Sequence, residues 1–171
     1  DIGGSYGRLS PTYYSLYKHP LIIDYSLKTL QKNYIEIKKH FPNMELIAAN
    51  AYNLPFKESS FDGALMVRVL HHIERPKEYF KEIYRVLSPN SIYIQEYANK
   101  LHIKAIFRAI LHLDFSLFST KPYQQPNRNN YEGASKKAYV PFFNYHTKWI
   151  TRELSNTGFN IEKKYGSSFL R

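Results

Sequence analysis

No cysteine occurs anywhere in the 171 residues, which excludes disulfides and thiolate metal sites. No apolar run approaches the roughly 20 residues that span a bilayer, and no signal peptide is visible. Cytoplasmic is therefore the expected location. The sequence also lacks Gly-Lys-Ser/Thr, the loop that holds a triphosphate, and the dinucleotide fingerprint G-x-G-x-x-G. Acidic residues are scarce, 14 Asp and Glu against 24 Lys and Arg, for a net charge of +10. What remains is ordinary for a globular chain, 43% hydrophobic and 22% charged, but aromatic at 16%, with 16 tyrosines and 11 phenylalanines.

The charge is unevenly placed. Residues 1–99 carry 12 Lys and Arg against 10 Asp and Glu, a net of +2, whereas residues 100–171 carry 12 against 4, a net of +8. Such a field attracts an anionic substrate, RNA or a membrane surface, or simply forms a solvated basic face.

Short apolar runs alternate with amphipathic stretches over the first hundred residues. Leu21-Ile22-Ile23, Met44–Ala49, Phe61–Val67 and Ser91–Tyr97 read as strands, the last preceded by the turn Ser88-Pro89-Asn90. Ser26 is placed to cap a helix running through Lys39, with Leu27, Leu30, Tyr34 and Ile37 on one face. Pro76 suits the first turn of another, striped by Phe80, Ile83 and Leu87. Strands alternating with helices, without hairpin signals, imply parallel βαβ units. Beyond Tyr97, Leu101–Leu113 reads as a helix, 114–146 as an irregular aromatic-rich segment, and Lys148–Asn156 as a helix closed by Gly158. A strand over Phe159–Tyr165 is expected to follow.

The motif with most chemical content is the opening DIGGSYGRL. Gly3, Gly4 and Gly7 can adopt backbone angles closed to other residues and leave no side chain in a ligand's way. Seventeen residues after Gly7, Asp24 ends the next strand, the spacing at which an acid accepts hydrogen bonds from ribose hydroxyls. With neither phosphate-binding signature present, a nucleoside without phosphates fits best. Ligands of parallel sheets bind at the carboxyl ends of the strands, where Asp24, Asn50, Val67, Arg68 and Glu96 converge.

DIGGSYGRL, LIIDYS, AANAYNLPFKESSFDGALMVRVLHHI and FKEIYRVLSPNSIYIQEY together resemble a class I S-adenosylmethionine-dependent methyltransferase, of the family that includes the ubiquinone/menaquinone-biosynthesis enzymes. The resemblance covers residues 1 to 97 and implies an α/β, Rossmann-like doubly wound, mostly parallel sheet with helices on both faces. It further implies truncation at the N-terminal strand and loss of the last antiparallel strand, with the first residues entering the sheet as a stub. The resemblance makes residues 1–171 a single methyltransferase domain. Within it, 1–99 form the cofactor-binding core, 100–146 a helix plus an aromatic-rich substrate or lid insertion, and 147–171 a final helix–strand unit.

The resemblance also implies roles. Asp1, Gly3, Gly4 and Gly7 would line the methionine and ribose portions of S-adenosylmethionine, Asp24 would bind the ribose hydroxyls, and Tyr25 would lie beside the adenine. Asn50, where an aspartate is usual, would contact the adenine amino group, helped by Ala51; Val67 and Arg68 would sit under the sulfonium. Ser5 stands where a glycine is usual. His71 and His72 are the titratable candidates for a general base, or else brace a helix. Tyr123, Tyr139, Phe143, Tyr145 and His146 would cover the acceptor, or pack the insertion onto the body.

His102 and His112 lack metal-ligand spacing, and no metal is expected. Lys136-Lys137 and Lys163-Lys164 either steer an anion or lie solvated. The leading expectation is methyl transfer to a small molecule by in-line displacement. Methylation of RNA such as tRNA, and a non-catalytic cofactor-binding or scaffold role, are the alternatives.

Overall fold

The computed structural model describes residues 1–101, 103–113, 118–124 and 142–166. Tyr139, His102 and the Lys136-Lys137 pair lie outside the described residues. The chain divides into two compact units, one of Asp1–Val69 with Lys81–Glu96, the other of Leu70–Phe80 with Tyr97–Arg171.

In the first unit, β1 (Leu21–Asp24) pairs in parallel with β2 (Glu45–Ala48), Ile22 opposite Leu46. A second parallel pair is formed by β3 (Phe61–Met66) and β4 (Leu87–Gln95). Residues 1–3 knit the two pairs together. Asp1 N donates to Leu21 O (2.8 Å), Ile23 N to Asp1 O (2.9 Å) and Gly3 N to Ile23 O (2.7 Å), while Ile2 N donates to Leu65 O on the other side (2.8 Å). The spatial order is β2, β1, residues 1–3, β3, β4. The chain winds outward in both directions from residues 1–3, which makes them the switch point where parallel sheets open a crevice.

A short helix, α1 (Ser10–Tyr13), follows the glycine loop. The longer α2 (Leu27–His40) starts where Ser26 Oγ accepts from Thr29 N (3.2 Å) and ends near Lys38 and Lys39, cations that suit the negative end of its dipole. It buries Leu30 and Ile37 against Ile22 and Met44. Of the expected stripe, Leu27 and Tyr34 face solvent. The next helix, α3 (Pro76–Val86), buries Tyr79, Phe80, Ile83 and Val86 and runs straight into β4. The turn expected at Ser88-Pro89-Asn90 lies inside that strand, as a bulge. Phe61 pairs with Leu87 but Gly63 pairs with Ile92, and Asn90 takes a left-handed φ of 64°. Proline has no N–H to give the ladder, so the excursion falls where pairing is already broken.

In the second unit, α4 (Ile103–Leu111) precedes a short antiparallel pair of β5 (Tyr123–Gln124) and β6 (Phe143–Asn144). The last helix, α5 (Thr147–Thr157), is closed by Gly158 at φ 116°, with Phe159 N returning to Leu154 O (3.1 Å). The strand expected over Phe159–Tyr165 does not form. Asn160 and residues 162–165 are solvent-exposed, so the stretch lacks the apolar face that would hold a strand against a layer.

Candidate functional site

The glycine loop turns sharply where residues 1–3 leave the sheet. Gly3 and Gly7 have φ of 70° and 76°, and Ser5 joins them at 49° despite its side chain. Gly4 is fixed by space instead: a Cβ there would stand 2.8 Å from Asp1 Oδ2 and 2.9 Å from Ile22 Cγ2. At Gly3 a Cβ would overlap the Val69 side chain. Asp1 is itself held, its Oδ2 accepting from the Tyr13 hydroxyl (3.3 Å), and burial pushes that phenol above its usual pKa. Sequence reasoning missed Tyr13, whose part depends on α1 folding back over the loop.

Asp24 ties this loop to the next turn. Its Oδ2 accepts from Ser5 N (3.0 Å) and its Oδ1 from Ser26 N (2.8 Å). Each carboxylate oxygen offers two acceptor positions, so one on each oxygen is left for a ligand. Two acceptors side by side on a half-buried carboxylate match the vicinal hydroxyls of a ribose. Next to it, Tyr25 presents an 83% exposed side chain.

Asn50 follows β2, and its Oδ1 is engaged by Tyr52 N (3.0 Å), which directs its amide nitrogen to other acceptors. The loop beyond Ala51 is pinned from α3. Leu54 N donates to Glu82 Oε1 (2.7 Å), while Arg85 donates to Phe56 O (2.9 Å), to Leu54 O (3.2 Å) and to Glu82. Arg85 holds the Glu82 carboxyl below its usual pKa. At the tip of β3, Val67 leads into Arg68, whose φ is 61° and whose Nε lies 3.9 Å from Glu96 Oε1. Left-handed backbone at a non-glycine costs about 1–3 kcal/mol and gathers at functional sites. The first unit thus brings Asp1, Gly3, Gly4, Gly7, Asp24, Tyr25, Asn50, Ala51, Val67 and Arg68 to the strand tips of one sheet.

A family model described as a methyltransferase domain matches residues 1–95. The chain belongs to the methyltransferase-domain family. The demethylmenaquinone methyltransferase of Paenarthrobacter aurescens is 24% identical over 159 residues, covering 88% of this chain and 59% of that protein. The 24-methylenesterol C-methyltransferase 2 of Arabidopsis thaliana is 40% identical over 50 residues, 29% of this chain and 14% of its own length. The chain therefore spans less than two thirds of these relatives. Among solved structures, a SAM-dependent methyltransferase from Methanosarcina mazei superposes with a TM-score of 0.69 at 23% identity, covering 95% of this chain and 79% of its own, which shows a shared fold.

The remaining candidates belong to the second unit. His71 and His72 form a 3-10 turn with Leu70; the ring of His71 lies 4.3 Å from that of Phe142 and 4.0 Å from that of His72. Tyr145 is 1% exposed, donates its hydroxyl to Ile73 O (3.0 Å) and stacks on Trp149 at 5.4 Å. His146 caps α5, its Nδ1 accepting from Lys148 N (3.1 Å). Burial first, then Lys148 and Lys100, lowers its pKa, so the capping ring is the neutral one. The Tyr145 hydroxyl and the His146 Nδ1 are thus engaged within their own unit. Phe143 lines a cleft of about 420 Å³ with Pro122, Tyr145 and Trp149, and Tyr123 stands exposed in β5. Trp149 was not singled out from the sequence, where a lone tryptophan on a helix reads only as core.

Proposed function

We propose that the chain is an S-adenosylmethionine-dependent methyltransferase acting on a small, largely apolar molecule. The observation that carries this reading is Asp24, whose two spare acceptor positions stand between a glycine-rich loop and an exposed aromatic ring. When bound, S-adenosylmethionine supplies a methyl group made electrophilic by its sulfonium. Asp24 accepts from the ribose hydroxyls, and the backbone of residues 3–5 admits the amino-acid portion. Tyr25 covers one face of the adenine. The Asn50 amide addresses the adenine edge, supported by Ala51. Val67 and Arg68 border the reacting end. There Glu96 offsets the Arg68 charge, which keeps net positive charge away from a cationic sulfur. Displacement at a methyl needs alignment and exclusion of water more than proton transfer, so no strong base is required of this chain. A small apolar acceptor agrees with relatives named for a menaquinone precursor and a sterol.

The experiment is transfer of radiolabelled methyl from S-adenosylmethionine into fractionated small-molecule, lipid and RNA pools. Label in a small-molecule or lipid fraction is the expected result. Label confined to RNA would move the acceptor to the other class, and binding of the cofactor without label in any pool would leave a non-catalytic binding protein.

A further inference from the structure

We propose that α4 docks the protein on an anionic membrane surface, with its outward apolar face entering the headgroup boundary. Ile103, Phe107, Ile110 and Leu111 are 41, 63, 61 and 80% exposed, and Leu113 just beyond the helix is 75% exposed. At 3.6 residues per turn, the four helical positions fall within about 100° of arc. Ala109, off that arc, is 7% exposed. The helix therefore buries Ala109, leaves Ile106 half-buried and presents its other large apolar residues to solvent, more than packing against a core would leave out. A contiguous apolar face of this kind marks an interaction surface.

The charge names the partner. Residues 101–113 include Lys104 and Arg108 and no acid, and residues 100–171 carry 12 cations against 4 anions. A short helix joining bulky aliphatic and aromatic residues with cations, and lacking acids, is the composition that lies in the plane of an anionic bilayer. Its nine residues rise about 14 Å, too short to cross one. Among the described residues no helix is long and apolar enough to do so. This proposal does not rest on the methyl-transfer reading, because surface binding is measured without turnover.

The test is flotation of the full chain with vesicles of phosphatidylcholine, with and without phosphatidylglycerol, at low and high salt. Binding is expected only with phosphatidylglycerol, weakened by salt, and reduced about tenfold or more in Phe107→Ser/Leu111→Ser. Both residues are exposed, so that variant keeps its circular dichroism; Ile110→Ser serves if it does not. Three results overturn the proposal: no flotation with phosphatidylglycerol, undiminished flotation of the folded variants, or a dimer in light scattering that the variants dissolve without any vesicle binding.

Discussion

Replacing Asp24 separates its two duties. The carboxylate holds Ser5 N at 3.0 Å and Ser26 N at 2.8 Å, and it offers two further acceptor positions to a ligand. In Asp24→Asn, whichever position the amide nitrogen takes, it faces one of those backbone N–H groups and leaves it unsatisfied, at about 1–3 kcal/mol. In Asp24→Ala both internal bonds go, and with them the two bonds proposed to the ribose. Hydrogen bonds to a charged group contribute about 1.5 kcal/mol each at the low end, so losing two weakens binding by about 3 kcal/mol, roughly 10²-fold. Isothermal titration with S-adenosylmethionine measures the affinity, and circular dichroism melts establish that the variant is folded. Ser26→Ala is the control. It removes the Oγ that caps α2 at Thr29 N, costs about 1 kcal/mol of stability and leaves the Asp24 carboxylate in place, so affinity holds. A folded Asp24→Ala binding within about threefold of the parent would refute the assignment of this carboxylate to the sugar.

Further variants test the surroundings. Gly4→Ala must force its Cβ against Asp1 Oδ2 and Ile22 Cγ2, and a loss of about 1–3 kcal/mol in chemical denaturation is expected, with unchanged stability counting against a close-packed loop. Arg85→Ala frees Phe56 O and Leu54 O and leaves Glu82 without its cation; a lowered denaturation midpoint and faster proteolysis near residues 50–56 are expected. Because Arg85 lowers the folded pKa of Glu82, this pair's contribution is complete above the unfolded value of about 4.3 and fades as pH falls through the lowered one, so acid melts of the parent and Arg85→Ala should converge. His146 has its pKa lowered by burial first and then by Lys148 and Lys100, so the unfolded chain binds the proton first and stability drops as pH falls below about 6.5. His146→Asn caps α5 without titrating, and its melting temperature should lose that slope between about pH 5 and 7.

Those elements were legible in the sequence wherever one residue type had one physical use. Leu21-Ile22-Ile23 has no polar atom to place at a surface, and it became β1 with Ile22 and Ile23 buried. Ser26 before an amphipathic stretch and Gly158 after one had capping chemistry to declare, and both cap. The reading failed where outcome depends on what lies opposite. Phe159–Tyr165 begins with apolar alternation at Phe159 and Ile161, yet residues 162–165 face solvent and it stays irregular. Likewise Ser88-Pro89-Asn90 is a turn in sequence and a bulge in the sheet, because Leu87 pairs with Phe61 before the excursion begins. For Tyr145 and His146 the sequence left cover of an acceptor and packing side by side, and the structure describes the burial and backbone partners of both.

The candidate site shows the same division in its backbone. Gly3 and Gly7 announce their left-handed angles by being glycines, but Ser5 and Arg68 adopt such angles without any signal in their identity. For Ser5 the compensation is visible, because its N–H is received by Asp24 Oδ2. The acid that would grip the sugar thus also stabilises the strained serine that shapes the loop. Ligand binding and loop geometry are coupled through one side chain, so Ser5→Gly should relieve about 1 kcal/mol of strain without disturbing affinity. Asp24→Asn should disturb both together. If Ser5→Gly weakened cofactor binding as much as Asp24→Asn does, the serine side chain itself would be a ligand contact, and the loop would owe its shape to the sheet alone.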